Sequence, residues 1–518
     1  MAIAQVGLYA SLTYLTLILL WRLIRRPKIR YPPSPTSIPL IGNLFSIPAG
    51  HDHIAFSKLG EQLGSDIIFL EILGQKIIVL NSLEVALEVL EKRSAFYSDR
   101  PRIPMIQEPE LMNWSGHVSL LGYNDLWRHY RRIMNNWLSV RAVSQFSNLQ
   151  EQQARSLLRR LLNFVDNTQP FEHIKAEFFF SMGSSMLQLA YGYKPQDPQD
   201  HFFKNANLAF HNAISAGTQT NFLVNLFPAL LHIPDWFPGT SWKHTAREYG
   251  AQQEKAKAEP YNWVKAQMAD GTHQPSILSD LLQHQKLLMG LNSGEREERA
   301  KEVGIVLFGG GTDTSATFLV NLVFALVLNP NAQARAQQEL DAVLGQCVLP
   351  RISDNDRLPY IRNMIYEVIR LYPVLPLGLP HACFQDDVFR GYTIQKGTTI
   401  LGNNWAISRD PRLYKDPEIF NPDRYLDPDV PLPPVFGWGR RKCPGLHFAE
   451  SSTFIMAASL IAMFTFSKKR NTNGQEVIPQ IELERKALIF ELKPFEFEFK
   501  PRSEEHRQLI LVAATDED

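Results

Sequence analysis

One of the three cysteines, Cys443, lies in a glycine-rich and strongly basic loop, FGWGRRKCPG, at residues 436–445. Glycine tolerates positive φ, so such a loop can fold tightly and present the sulfur from a nest of backbone N–H groups. The neighbouring Arg440, Arg441 and Lys442 are expected to stabilise a thiolate, which is a strong metal ligand. The alternative is a buried structural cysteine in a glycine-rich turn, the usual role of an isolated cysteine.

A second group of reactive side chains lies in the sequence GGGTDTS at residues 309–315. A glycine inside a helix costs about 1 kcal/mol relative to alanine, so three in a row need a reason. The Thr314 hydroxyl can bond back to a carbonyl one turn earlier and open a groove in the helix that can hold water. The alternative is a glycine and threonine kink between packed helices.

The cysteine loop matches a known family at five spaced positions. A chance match at all five, somewhere in a chain of this length, has odds of roughly 1 in 10,000. The sequence therefore resembles the cytochrome P450 family, and its NWAISRDP stretch at residues 404–411 is most similar to fungal microsomal members. The positions that match the haem-binding loop of that family are Phe436, Gly439, Arg441, Cys443 and Gly445.

Two further segments support the resemblance. Glu367 and Arg370 match the family's Glu-x-x-Arg pair, and their spacing places both side chains on one helix face. The segment PEIFNPDRY at 417–425 looks like the one that follows this pair in the family, and its Arg424 would complete a network with Glu367 and Arg370 beneath the haem. The resemblance implies the cytochrome P450 fold, which is mainly α with small β-sheets.

The resemblance also implies a haem b whose iron is bound by Cys443. Trp127, Arg131, His381 and Arg441 match the family's partners of the haem propionates, and Trp127 and Arg131 share a helix face at spacing i, i+4. Alternatively, Trp127 is a core residue of an amphipathic helix and His381 is a loop histidine with local partners. The other cofactor-binding positions lie in the two glycine-rich segments and are Phe436, Gly437, Gly445, Gly310 and Gly311.

By the same resemblance the chain is a monooxygenase in which Thr314 hydrogen-bonds dioxygen and Asp313 relays protons. We expect an oxidoreductase that inserts one oxygen atom of O2 into an apolar small molecule, such as a terpenoid or another fungal secondary metabolite. One alternative is a haem-thiolate isomerase or dehydratase that needs no reductase, and the presence of Thr314 and Asp313 weighs against it. Another is a haem-binding sensor without catalytic activity.

Electrons must come from another protein, because the sequence shows no GxGxxG strand–turn–helix unit and no flavin domain. The resemblance implies an NADPH-cytochrome P450 reductase, so NADPH would be used indirectly. Four basic residues near the cysteine loop are candidates for steering this acidic partner, or they are ordinary solvated charges. They are Arg128, Arg132, Arg440 and Lys442.

Mostly helical elements are expected to position these residues. Apolar periodicity predicts the helices, and runs of β-branched residues predict one hairpin. The predicted elements are a helix from Ala300 to about Leu328 interrupted at residues 309–311, helices over 331–344 and 358–371, and a hairpin of strands 66–72 and 75–80 around Leu73 and Gly74.

The 518 residues include 53 Lys and Arg and 53 Asp and Glu, a balance without the basic excess of a nucleic-acid-binding protein. The charge is uneven, because residues 2–21 are uncharged and a basic run follows them. About 20 apolar residues span a bilayer, so we predict a single N-terminal transmembrane helix that holds the body on the cytosolic side of the endoplasmic reticulum membrane.

A cleaved signal peptide is the alternative to this anchor, but the basic n-region and a small-residue cleavage site are missing. The lipid bilayer is therefore an expected partner, and nucleic acid is not. The expected divisions of the chain are the anchor at 1–21, a basic and proline-rich linker at 22–50, the haem-thiolate catalytic domain at 51–502 and an acidic tail at 503–518.

Overall fold

The computed structural model describes residues 29–218, 221–484 and 488–513. Within these ranges the chain is mainly helical with small sheets, which confirms the predicted fold class. The predicted transmembrane helix at residues 1–21 lies outside the described residues. Among the described residues, Ser293–Leu328 and Leu446–Met463 are long and apolar enough to cross a membrane, but 78% and 72% of their apolar windows are buried inside the protein, so both are core helices.

Helices carry most of the described chain. A π-helical segment at Leu87–Lys92 continues the second helix, and a tight 3-10 turn at Gly439–Arg441 precedes Cys443. In chain order the α-helices are α1 (Asp52–Leu63), α2 (Leu83–Ala86), α3 (Ser94–Tyr97), α4 (Pro104–Gln107), α5 (Asp125–Leu138), α6 (Ser147–Leu161), α7 (Phe171–Tyr191), α8 (His201–Gly217), α9 (Ser241–Ala269), α10 (Ile277–Gln283), α11 (Ser293–Leu328), α12 (Pro330–Leu344), α13 (Pro359–Leu371), α14 (Asn404–Ile407), α15 (Leu446–Met463) and α16 (Glu504–Ala513).

The strands of the described chain are short. They are β1 (Ile67–Ile72), β2 (Gln75–Leu80), β3 (His381–Ala382), β4 (Asp387–Phe389), β5 (Tyr392–Ile394), β6 (Thr399–Gly402), β7 (Phe464–Ser467) and β8 (Glu498–Pro501). The largest sheet has the order β1–β2–β6–β3, in which β2 and β6 run parallel. The pairs β4–β5 and β7–β8 form separate antiparallel ribbons.

The structure contains the predicted hairpin and the two helices predicted after residue 330. Strands β1 and β2 pair antiparallel across Leu73 and Gly74, whose φ values of 49° and 85° suit the type I′ turn that matches strand twist. Helices α12 and α13 each begin with proline, a residue whose missing N–H costs no bond in the first turn. These local patterns are therefore confirmed.

The long helix α11 differs from its prediction in two ways. It begins at Ser293 rather than near Ala300, because Asn292 and Glu295 form a capping box ahead of the apolar stretch. It also runs through residues 309–311 without the predicted interruption. Packing compensates for the glycines, since Phe210 and Met186 occupy the space beside Gly309 and Gly311.

The core lies around α11, which packs most extensively against α7 and also contacts α9 and α15. Fully buried aromatic side chains such as Phe178 of α7 and Phe324 of α11 belong to one apolar cluster that also includes residues of α15. Because α11 is buried along most of its length, its glycine-rich middle is held at the centre of the protein.

Both ends of the described chain pack on the body. The proline-rich segment joins the first sheet, where the Phe69 N–H donates to the Pro33 carbonyl at 2.9 Å. Within the predicted acidic tail at 503–518, the residues Glu504–Ala513 form α16. His506 and Ile510 are spaced i, i+4 and share the face that α16 buries, which explains why these residues are ordered.

Candidate active site

The loop that carries Cys443 is closed by its own backbone. The Cys443 N–H donates to the Phe436 carbonyl at 2.8 Å. Gly439 adopts a φ of 50°, and a Cβ at that position would lie 2.3 Å from the Leu90 carbonyl oxygen. Glycine is therefore required there by both its backbone conformation and the close approach of another segment.

The Cys443 side chain is accessible, although burial raises the pKa of its thiol. An accessible sulfur deep inside a protein indicates an open internal space beside it. The Gly445 backbone and the charge of Arg131 lower the pKa of Cys443, but they do not outweigh burial. A thiolate ligand would therefore need a bound cation in the space next to the sulfur.

The basic residues that precede Cys443 do not supply this charge, contrary to our expectation. The Arg440 guanidinium donates to the Tyr123 hydroxyl at 2.6 Å. Arg441 donates to two backbone carbonyls at 2.7 and 2.6 Å, and Lys442 is exposed. Arg440 and Arg441 are engaged by these partners, and the charge that lowers the pKa of Cys443 is that of Arg131 on α5.

Three of the predicted propionate partners meet around one indole ring. The guanidinium carbons of Arg441 and Arg131 lie 4.4 and 5.6 Å from the centroid of the Trp127 ring. The side chain of the N-cap residue Asn124 accepts a hydrogen bond from the backbone N–H of Trp127 at 2.9 Å and so fixes the start of α5. Sequence spacing thus correctly placed Trp127 and Arg131 on one face.

His381, the fourth predicted partner, is buried on β3 next to a residue that the sequence did not reveal. Its Nδ1 lies 2.7 Å from the Tyr97 carbonyl oxygen. Burial and the charge of Arg100 lower the pKa of His381 to about 3. Arg100 donates to the Leu379 carbonyl at 3.0 Å, just before this strand. Only the basic context DRPR at residues 99–102 could have signalled Arg100.

This buried basic cluster fits the two carboxylates of a haem. Burial lowers the pKa of Arg441 to about 10 and that of Arg100 to about 9, and Asp99 is the carboxylate that opposes this effect for both. The Nη1 atom of Arg441 is buried and has no hydrogen-bond partner among the described residues. A bound dianion would pair with that N–H and offset the buried positive charge.

The glycines of α11 have different neighbours. Nothing lies within 4 Å of the position that a Gly310 Cβ would take, so this residue faces open space. A Cβ at Gly311 would meet the Met186 sulfur at 2.2 Å, so its small size serves helix packing against α7. Gly310 and Gly311 therefore do not face the same space, although both were predicted to bind the cofactor.

Thr314 and Asp313 lie one turn beyond Gly310. The Thr314 hydroxyl donates to the Gly310 carbonyl at 2.8 Å, which is the predicted bond to the preceding turn. Burial raises the pKa of Asp313 to about 6, with a further increase from Glu491 and an opposing effect of His211. Asp313 can therefore hold or release a proton near neutral pH, as a relay requires.

The predicted network of Glu367, Arg370 and Arg424 is present and buried. Arg370 binds both Glu367 oxygens at 2.8 Å, and the Arg424 Nε lies 3.0 Å from each of them. Burial alone would lower the pKa of Arg370, but hydrogen bonds and the charge of Glu367 outweigh it and raise that pKa. The network ties α13 to the segment that leads to the cysteine loop.

The four basic residues proposed to steer a partner are all exposed. Arg128 and Arg440 both contact the Tyr123 ring, at 4.5 and 5.0 Å from its centroid, so α5 and the cysteine loop meet at one face. Arg128 also forms an ion pair with Asp125. This arrangement presents positive charge on the surface where α5 meets the cysteine loop.

The chain is similar to known proteins over nearly its whole length. A sequence model of the family Cytochrome P450 matches residues 32–496. The chain is 35% identical over 517 residues to cytochrome P450 monooxygenase 98 of Postia placenta, covering 98% of this chain and 96% of that protein. It is 34% identical to cytochrome P450 monooxygenase COX2 of Coprinopsis cinerea, with 93% and 91% covered. A relative from Armillaria gallica, also named as a cytochrome P450 monooxygenase, is 34% identical over 510 residues, covering 97% of this chain and 98% of that protein.

Proposed function

Because the chain belongs to the cytochrome P450 family of monooxygenases, we propose that it binds haem b through Cys443 and hydroxylates an apolar small molecule with O2. The observation that carries this proposal is the accessible thiol of Cys443, deep in the protein and beside Arg131. Bound there, the haem supplies oxygen activation, and electron donation from a thiolate ligand favours cleavage of the O–O bond.

The buried basic cluster would hold the haem carboxylates. Arg441 offers an unpaired N–H, and Arg131 and Arg100 add positive charge at the same place. His381 donates its Nδ1 proton to a carbonyl, so its Nε2 binds a carboxylate only when the ring is protonated. A carboxylate at Nε2 would itself favour that protonated form.

Thr314 and Asp313 would manage protons at the space beside Gly310. The Thr314 hydroxyl now donates to the Gly310 carbonyl, and rotation about χ1 lets it donate towards the open space instead. Asp313, with a pKa of about 6, would resupply protons from the direction of Glu491 and His211. These roles favour a monooxygenase, because reduction of O2 takes up protons from solvent, whereas isomerisation or dehydration of a substrate has no net proton uptake.

The substrate is proposed to be apolar, such as a terpenoid or another secondary metabolite. Phe308 is buried two residues before the open position at Gly310, and Phe203 and Phe210 contact the Phe308 ring with centroids 6.1 and 6.3 Å away. Aromatic walls with few polar groups suit an apolar ligand. The fungal origin of the relatives supports a metabolite of that kind.

We further propose that NADPH-cytochrome P450 reductase supplies the electrons. The exposed Arg128, Arg132, Arg440 and Lys442 would attract its acidic surface to the side of the molecule nearest Cys443. Complementary charge mainly raises the association rate, so the interaction should weaken as salt increases.

The proposed location is the cytosolic side of the endoplasmic reticulum membrane, with the catalytic domain at 51–502 held by an N-terminal anchor. Large apolar side chains at Leu40, Phe45 and Trp236 are 88%, 74% and 81% exposed, which supports contact with lipid. A hydrogen bond of 2.8 Å from the Gln75 amide to the Asn225 carbonyl links the first hairpin to the segment that precedes Trp236.

Metabolite profiling tests the proposed function. Membranes that contain the protein and the reductase are incubated with NADPH and a mixture of apolar metabolites, and products heavier by one oxygen atom are sought. We expect such products, labelled by 18O2, and none with the Cys443→Ala variant. Rearranged or dehydrated products that form without NADPH would contradict the monooxygenase and favour an isomerase or dehydratase.

A further inference from the structure

A buried carboxylate on α11 has no part in the proposed oxygen chemistry. Glu302 lies about two helical turns before Gly310 and is fully buried. Both of its oxygens accept the Trp114 indole N–H at 3.1 Å, and Oε1 also accepts from the Lys257 ammonium at 3.0 Å. A Cβ at Gly116 would lie 3.2 Å from Oε1, so the backbone of the 109–117 loop packs directly on this carboxylate.

Glu302 therefore joins three separate parts of the fold. Trp114 belongs to the loop before α5, Lys257 to α9 and Glu302 to α11. Lys257 is also bound by Glu298 at 3.1 Å and by Glu254 at 3.2 Å. Since Trp114, Lys257 and Glu302 are buried, releasing the loop means separating charged hydrogen bonds in a medium of low dielectric constant.

On its inner side the loop leads to the candidate active site. The Trp114 and His117 rings pack against Phe210, with centroids 5.5 and 5.8 Å apart. Phe210 in turn covers Gly309, where an added Cβ would lie 2.0 Å from the ring. The next residue, Gly310, faces open space. Displacing Trp114 would therefore free Phe210 to move away from Gly309, which adjoins the open position at Gly310.

On its outer side the loop borders a cleft of about 540 Å³. Residues 109–113 form one wall, and the segment of α9 around Gly250 and Gln253 forms the other. Glu254 lines the cleft and binds Lys257, so the cleft ends at the Glu302 network. A chain of contacts therefore runs from the cleft through Glu254, Lys257 and Glu302 to Trp114. It continues through Phe210 to Gly309, the neighbour of Gly310.

We propose that Trp114, held by Glu302 and backed by Lys257, closes a passage through which apolar ligands too large for transient gaps pass between the α9 cleft and the active site. Glu302 is then a positioning residue that acts through Trp114 and Phe210. The inference rests on the proposed function in one respect, because the ligand that passes is the substrate or product of the haem site.

The test compares how fast two haem-binding probes enter the full-length ferric protein, followed by the Soret shift in a stopped-flow instrument. Imidazole is small, and clotrimazole carries three aromatic rings.

The Trp114→Phe variant loses the indole N–H. We expect clotrimazole to bind to it about tenfold faster than to the wild type, because tenfold corresponds to the free energy of about one charged hydrogen bond. The imidazole rate should change by less than about twofold. Trp137→Phe is the matched control, since Trp137 also donates to a carboxylate, Asp280, at 2.9 Å but has no ring contact with Phe210.

An unchanged clotrimazole rate in Trp114→Phe, or equal acceleration of both probes, would overturn the proposal that Trp114 closes a passage for large ligands. Absence of any imidazole spectrum in the wild type would instead count against the haem site itself. If Trp114→Phe does not fold, Glu302→Gln answers the same question, because the amide keeps the shape but loses the charge. It should accelerate clotrimazole by about threefold, and the wild-type rate in that variant would contradict the proposal.

Discussion

The Thr314 hydroxyl donates a hydrogen bond of 2.8 Å to the carbonyl oxygen of Gly310, one helical turn earlier. Gly310 is also the glycine of α11 that faces open space. The hydroxyl therefore sits at the edge of the space where dioxygen would bind, in an uninterrupted helix. Under the proposed function, Thr314 would have two acceptors, the Gly310 carbonyl at rest and bound dioxygen during turnover.

Loss of the Thr314 hydroxyl should uncouple NADPH consumption from product formation. In Thr314→Ala we expect product per NADPH to fall by at least about tenfold with a matching rise in hydrogen peroxide, because proton delivery contributes rate factors of that order or more. Thr314→Ser keeps the hydroxyl and should stay within about threefold of the wild type. Peroxide and product are measured together, and full coupling in Thr314→Ala would exclude a role in proton delivery.

The neighbouring glycines should respond in opposite directions to the same substitution. Gly310→Ala adds a methyl group to open space and gains about 1 kcal/mol of helix propensity, so the free energy of unfolding should rise. Gly309→Ala drives a methyl group into the Phe210 ring and should lower the free energy of unfolding by about 1–3 kcal/mol. Urea unfolding measures the stability of both variants. A destabilised Gly310→Ala together with a stabilised Gly309→Ala would contradict the open space at Gly310 and the close packing at Gly309.

The raised pKa of Asp313 makes stability depend on pH. Its folded pKa of about 6 exceeds the ordinary value of 3.8, so its contribution is fully present below about pH 4 and is lost as pH rises through 6. Asp313→Asn should therefore be more stable than the wild type, by about 1.5 kcal/mol at pH 5 and at most about 3 kcal/mol at pH 8. Urea unfolding at both pH values checks this, and a difference that does not grow with pH would contradict it.

Removal of the Glu367 charge should reduce haem incorporation. Glu367→Gln leaves Arg370 and Arg424 buried without their counter-ion, a change that costs about 3–5 kcal/mol. Haem content per protein, measured as the pyridine haemochromogen, should fall severalfold. Asp423→Asn is the matched control, because its ion pair with Arg335 is half exposed and contributes at most about 1 kcal/mol. Equal haem loss in both variants would argue against a specific role for Glu367.

Features built from neighbouring residues were predictable from the sequence. The hairpin of β1 and β2 follows from β-branched runs around Leu73 and Gly74, and the shared face of Trp127 and Arg131 follows from their spacing. The capping box at Asn292 and Glu295 is equally local. The first turns of α11 are polar, however, so apolar periodicity alone predicted a start that is too late.

Contacts between distant segments were not predictable in this way. Arg100 bonds a carbonyl 279 residues away, and Trp114 bonds Glu302 across 188 residues. Helical and strand periodicities describe only neighbours within about four positions, so they carry no information on such pairs. The cation beside Cys443 is likewise Arg131 of a distant helix and not one of the arginines adjacent in the sequence.

The carbon monoxide difference spectrum of the reduced protein tests ligation by Cys443 most directly. Thiolate-ligated haem gives a strongly red-shifted band that neutral ligands do not give. We expect this band in the wild-type protein and its loss in Cys443→Ser, while the same spectrum persists in Lys442→Ala. A band at the position of histidine-ligated haem in the freshly purified wild type, or a red-shifted band that survives in Cys443→Ser, would contradict the haem-thiolate site.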